Sequence, residues 1–129
     1  MFIAIDFQSG QPIYEQVVTQ IKFAIAADTV KEGEMIPSIR DLAQQLTLNP
    51  NTVARAFHQL KTEGITITRR GDGVAVAKGA AEKCVLERQA YFTNRFQAFL
   101  DEATRSRLPK SELEKIISPL MFTSVGAEK

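Results

Sequence analysis

The chain has 129 residues, 44% hydrophobic and 24% charged, with a net charge of +1, which is an ordinary globular composition with room for one modest domain or a small domain and an appendage. One cysteine and one histidine exclude an internal disulfide and leave too few ligands for a zinc or iron site. No apolar run approaches the ~20 residues that cross a bilayer, so no membrane partner is expected.

The opening run MFIAIDFQSG carries Asp6 early and lacks a basic start followed by a small-residue cleavage site. A signal peptide is therefore not expected, and a cytoplasmic location is. The first helix opens at Pro12, where a missing N–H costs nothing. Tyr14, Val17, Val18, Ile21 and Ile25 follow at helical spacing and form one apolar face. Lys31-Glu32-Gly33-Glu34 closes this unit in a turn. A second helix starts near Pro37-Ser38, with Ser38 and Asp41 spaced as a capping pair and Ile39, Leu42, Ala43 and Leu46 on its apolar side. After the turn Thr47-Leu48, Asn49 is suited to cap a third helix that begins with Pro50. Val53, Ala56, Phe57 and Leu60 are its buried stripe, and Gly64 is its left-handed stop.

Period two then replaces the helical period. Ile65-Thr66-Ile67-Thr68-Arg69, the turn Arg70-Gly71-Asp72-Gly73 and Val74-Ala75-Val76 read as a β-hairpin. Gly79-Ala80-Ala81 is a junction into a long helix over about 81–105, which Pro109 breaks. Ser111 with Glu114 predicts a capping box for a last short helix carrying Leu113, Ile116, Ile117 and Leu120.

Two short helices joined by a tight turn and followed by a hairpin predict a winged helix-turn-helix. The fold class is thus mainly α with a small β-hairpin wing, extended by a two-helix C-terminal region. The third helix is narrow enough for the major groove of a double-stranded DNA operator. Its first turn holds Asn49, Asn51 and Thr52, and Arg55 projects from the same face as Asn51, opposite the buried stripe. Arginine there is suited to the bidentate guanine contact. Arg40 is better placed for a phosphate or a groove edge. Arg69, Arg70, Gly71 and Gly73 at the hairpin tip suit a minor-groove or phosphate approach, against which Asp72 works.

Charge distribution agrees. Residues 1–36 hold two basic and five acidic side chains, whereas residues 49–78 hold Arg55, Lys61, Arg69, Arg70 and Lys78 against Glu63 and Asp72. Plainer roles stay open at each position: Asn49 as a cap only, Arg55 as a solvated helix residue, Arg69 and Arg70 as guards of an exposed strand edge. His58 reads as a surface or boundary residue and Cys84 as a buried or boundary one.

The runs PIYEQVVTQIKFAI, PSIRDLAQQLTLNPNTVARAFHQLKTEG and ITRRGDGVAV resemble the GntR family of bacterial regulators over about residues 8–78. The resemblance implies DNA contacts at Ser38, Arg40, Asn49, Pro50, Asn51, Thr52, Arg55, Arg70 and Gly71. The short helical C-terminal part is similar to that of the YtrA subgroup, which implies dimerisation through that part and repression, often of operons for ATP-driven transporters. Asp72 and Val74-Ala75 depart from the family pattern in the wing.

Residues 8–78 are accordingly read as the winged helix-turn-helix domain, 79–122 as a helical dimerisation region and 123–129 as a disordered tail. Val85, Phe92, Phe96, Phe99, Leu100, Leu113, Ile116, Ile117 and Leu120 carry more apolar surface than two helices hide from each other. A two-fold homodimer covers such a stripe, as would packing against the winged helix. No nucleophile–base pair or phosphate-cradling loop is present, so neither enzymatic activity nor a metal or cofactor is expected. A small-molecule effector is left open and unidentified. The rival readings are a winged helix used for protein contacts and a nonspecific DNA binder, the latter expected to be more basic.

Overall fold

The structure, a computed structural model, describes residue 1, residues 3–71 and residues 73–121. The readings made for Asp72 and for the tail 123–129 lie outside these residues. The chain divides into two compact units, Met1–Ala90 and Tyr91–Lys129.

In the first unit the helices α1 (Ile13–Ala26), α2 (Ile39–Leu46) and α3 (Pro50–Thr62) bury the faces their periodicity predicts. Val17, Val18, Ile21 and Ile25 meet Leu42, Ala43, Val53, Ala56, Phe57 and Leu60 in one core. Removing each of the valine, isoleucine, leucine and phenylalanine side chains among them from water contributes roughly 1.5–3 kcal/mol before chain entropy is subtracted. Gln16, buried on α1, ties down the N-terminal segment. Its Nε2 donates to the Asp6 carbonyl (2.8 Å) and the Gln11 carbonyl (3.0 Å), while its Oε1 accepts from the Asp6 N–H (2.8 Å). That segment places Ile3 in the core.

The turn between α2 and α3 passes through Thr47 at φ 55°. A β-branched residue in this left-handed region costs about 1–2 kcal/mol. The conformation lets the Leu48 N–H reach the Ala43 carbonyl at 2.9 Å. At the far end of α3, Gly64 (φ 79°) does what the sequence predicts. The N–H of Ile65 closes on the Leu60 carbonyl at 2.9 Å and that of Gly64 on the Lys61 carbonyl at 3.0 Å, so the last carbonyls are satisfied and Ile65 drops into the core.

The hairpin consists of β1 (Thr66–Arg69) and β2 (Gly73–Val76), antiparallel, with Thr66 opposite Val76 and Arg69 opposite Gly73. Thr66 is buried, whereas Ile67 is 43% exposed. The segment preceding α2 lines the other side of β2. Ile36 donates to the Val74 carbonyl, Gly33 to that of Val76, and Val76 back to that of Glu34, all within 3.0 Å.

Helix α4 (Ala80–Arg105) begins inside this unit, because Ala80 and Cys84 are fully buried in the same core. Glu32 Oε2 accepts the Ala81 N–H at 3.0 Å, and the backbone donors of Ala81 and Gly79 hold the Glu32 carboxyl below its usual range. Burial pushes the Cys84 thiol up to about 11, so it is an inert packing residue at neutral pH.

Lys22 of α1 is buried between two carboxylates, Glu63 Oε1 at 2.6 Å and Glu87 Oε1 at 2.5 Å. Burial opposes its charge, but the hydrogen bonds to Glu63 and Glu87 outweigh that and raise its pKa. Burial likewise opposes the charge of Glu63, and the Lys22 and Gln59 hydrogen bonds overcome it and lower its pKa. Replacing Lys22 with methionine is expected to destabilise the protein by about 1–2 kcal/mol at pH 7, short of the figure for a fully buried pair because both carboxylates stay partly hydrated. The sign with pH follows. The Glu63 contribution is complete above its unfolded pKa and is lost as pH falls through its lower folded value. The Lys22 contribution is complete below 10.5 and is lost above that as pH rises through the raised folded value. Denaturant melts of both proteins between pH 3 and 7 should therefore converge at the acid end; a pH-independent difference would mean that packing, not charge, is responsible.

The second unit holds the remainder of α4 and α5 (Lys110–Leu120). Helix α4 stops before Pro109, through Arg107 at φ 60° and a Leu108 N–H bond to the Ala103 carbonyl of 3.0 Å. The capping box expected of Ser111 and Glu114 does not form. Helix α5 starts earlier, with Pro109 at its N-cap and no side-chain cap. The Pro109 carbonyl takes the N–H groups of Glu112 and Leu113, both at 3.0 Å, which leaves Ser111 inside the first turn. Ala103 is buried, Leu100, Leu113 and Ile117 are half-buried, and Phe92, Phe96, Ile116 and Leu120 are 45–57% exposed. Phe96 and Phe99 stack at 6.0 Å between centroids.

Candidate nucleic-acid interface

The residues proposed for DNA contact all lie in the first unit and nearly all are exposed. Ser38 caps α2, its Oγ accepting the Asp41 N–H at 3.0 Å. Arg40 follows in the first turn, exposed. Asn49 caps α3 by accepting the Asn51 N–H on Oδ1 at 2.8 Å, with Pro50 in the first helical position. The cap therefore uses the amide oxygen of Asn49. Asn51 is exposed and Thr52 half-exposed, on the turn where the positive end of the helix dipole also lies.

Arg55 lies one turn further along α3, exposed, while Val53, Ala56 and Leu60 on the other side are fully buried. Its guanidinium carbon stands 3.8 Å from the centroid of the Tyr14 ring on α1. It has no ion-pair partner among the described residues. Periodicity assigns Tyr14 to the buried face of α1 only. The signal missed is that Tyr14, unlike the valines and isoleucines after it, sits half-buried at the helix start, where an aromatic face is available to a cation.

Arg69 ends β1, and Arg70 and Gly71 are exposed in the turn that follows. Gly71 (φ 79°) and Gly73 (φ 109°) both occupy backbone conformations that a side chain resists. A Cβ at Gly73 would also stand 3.1 Å from Met35 Cε. His58 is exposed and lines a shallow groove of about 220 Å³ with Ile39, Phe57, Lys61 and Thr68. The arrangement presents cations, amides and helix N-termini with no carboxylate paired to them among the described residues, a surface suited to phosphates and base edges. No group of three or more His, Cys, Asp or Glu that would hold a metal ion occurs among the described residues. None of the described helices is long and apolar enough to cross a membrane.

Comparison with known proteins gives this surface a context. The profile of the bacterial regulatory proteins of the gntR family matches residues 13–76. The HTH-type transcriptional repressor YtrA of Bacillus subtilis is 31% identical over 127 residues, covering 98% of each chain. Among solved structures, a transcriptional regulator from Oenococcus oeni superposes with a TM-score of 0.71 at 27% identity, over 93% of this chain and 99% of that one. The AraR DNA-binding domain, solved in complex with operator ORX1, gives a TM-score of 0.54 at 26% identity, over 60% of this chain and 99% of its own.

Proposed function

The chain belongs to the GntR family of bacterial regulatory proteins and is a transcriptional regulator of YtrA type, not an enzyme; from that premise we propose that it is a cytoplasmic homodimeric repressor that occupies a palindromic operator. The observation that carries this reading is the outward face of α3, where Asn51, Thr52 and Arg55 stand exposed over a fully buried opposite face. In this reading Arg55 and Asn51 read base edges. Ser38, Arg40, Asn49, Pro50 and Thr52 hold register on the phosphates, and Arg69, Arg70, Gly71 and Gly73 bring the wing to the adjacent groove. That the AraR DNA-binding domain is solved in complex with operator ORX1 supports operator DNA as the partner.

The winged-helix domain is taken as residues 8–78, and the C-terminal helices as the dimerisation region. Exposed Val85, Phe92, Phe96, Phe99, Ile116 and Leu120 together with half-buried Leu100, Leu113 and Ile117 are proposed as an isologous patch. The resemblance to the YtrA subgroup makes a transporter operon the first target to examine. A cavity of about 240 Å³ lined by Phe99, Glu102, Ala103, Ser106, Leu108 and Ile116 is smaller than the ~300 Å³ usual for ligand sites, and no effector is assigned.

Selection of duplexes from a randomised pool by purified protein, then titration against scrambled DNA at two salt concentrations, tests the proposal. A recovered palindrome held far above scrambled sequence supports it; equal, salt-sensitive binding to all sequences contradicts it. Within the same assay Arg70→Ala is expected to weaken selected and scrambled duplexes alike and to reduce the salt slope by roughly one for each phosphate that is no longer neutralised. A loss confined to the selected duplex would instead make Arg70 a base reader.

A further inference from the structure

Among the described residues, Arg55 is held without using any of its hydrogen-bond donors. Its guanidinium carbon lies 3.8 Å from the Tyr14 ring centroid, within the range of a strong cation–π contact. No carboxylate pairs with it among the described residues. All five N–H donors of a guanidinium lie in its plane. A ring stacked on one face therefore leaves every donor available at the edge, the geometry that a bidentate contact to guanine O6 and N7 requires. An ion pair would orient the side chain equally well but would occupy those donors.

Tyr14 is itself fixed. It is half-buried, packs against the core of the first unit, and its hydroxyl donates to Glu15 Oε2 at 3.3 Å. A free arginine carries substantial rotamer entropy, part of which it must give up to read a base. A stack formed before DNA arrives removes part of that cost.

We propose that Tyr14 is a positioning residue for base recognition, holding the Arg55 guanidinium edge-on to a guanine in each half-site. This rests on the reading of Arg55 as a DNA contact.

The test uses the full chain and a duplex selected from a randomised pool by the wild-type protein, with single base-pair changes across the half-site and a scrambled duplex for comparison. Tyr14→Phe keeps the ring and is expected to bind within about twofold of wild type. Tyr14→Leu is expected to weaken binding of the selected duplex roughly 3- to 30-fold, to affect the scrambled one little, and to relax preference at one guanine. In an Arg55→Ala background the same change should add nothing.

Because Tyr14→Leu also removes core packing, phenylalanine carrying one, two or three ring fluorines at position 14 supplies an independent reading. Fluorine withdraws charge from the ring face at nearly constant shape, so affinity for the selected duplex should fall stepwise while the melting temperature stays put. A flat fluorine series, with Arg55→Ala still costly, overturns the positioning role alone. Arg55→Ala without effect on the selected duplex overturns the reading of Arg55, and the proposal with it.

Discussion

Phe96→Asp is expected to convert the protein to a monomer and to lower affinity for a full palindrome by roughly 10²–10⁴-fold. Phe96 is 49% exposed on α4 and stacks on Phe99, in the middle of an apolar stripe that includes Phe92 and Ile116. An isologous interface would carry the substitution twice, so the variant would bury two unpaired charges against apolar surface. Sedimentation at matched concentration gives the oligomeric state, and titration of a half-site beside the full palindrome gives the consequence. Half-site affinity should hardly change, because the first unit keeps its own core. A Phe96→Asp protein that remains dimeric would remove the stripe from the interface and leave its exposure to be explained by another partner.

Arg55→Ala is expected to cost about 1–3 kcal/mol per half-site, the range for one bidentate base contact. On a palindrome the two protomers contribute independently, so the fold-loss is roughly the square of that on one half-site. Affinity for scrambled DNA should fall far less. Repeating the duplex selection with the variant should return a motif with one degenerate position in each half. Equal losses on selected and scrambled DNA would make Arg55 a phosphate contact. No loss would return it to the class of solvated helix residues, which its sequence position alone also allows.

Much of the first unit was legible because its signals are local. The apolar stripes of α1, α2 and α3, the caps at Ser38 and Asn49, and the left-handed stop at Gly64 depend on residues within one or two turns of each other. The hairpin was legible from period two and its glycines. The Ser111–Glu114 cap failed for a reason equally local: Pro109 starts the helix first. Two residues owe their setting to the fold and not to the pattern. Lys22, to which the sequence pattern assigns no role, is buried between Glu63 and Glu87. Tyr14 belongs to the apolar stripe, and the fold sets its ring beside Arg55.

Short stretches of sequence thus specify where the helices and the hairpin lie, which faces are apolar, and that one end of α3 and the hairpin turn carry amides and cations. These follow from periodicity, capping and composition, each read over a few consecutive residues. Long-range packing was needed to pair Ile36 and Gly33 with β2, to complete the first core with Ala80 and Cys84, and to bring Tyr14 to Arg55. Each of these joins residues tens of positions apart. Their partners are chosen by how the helices cross, with α1 packed on α3, which no short window of sequence encodes.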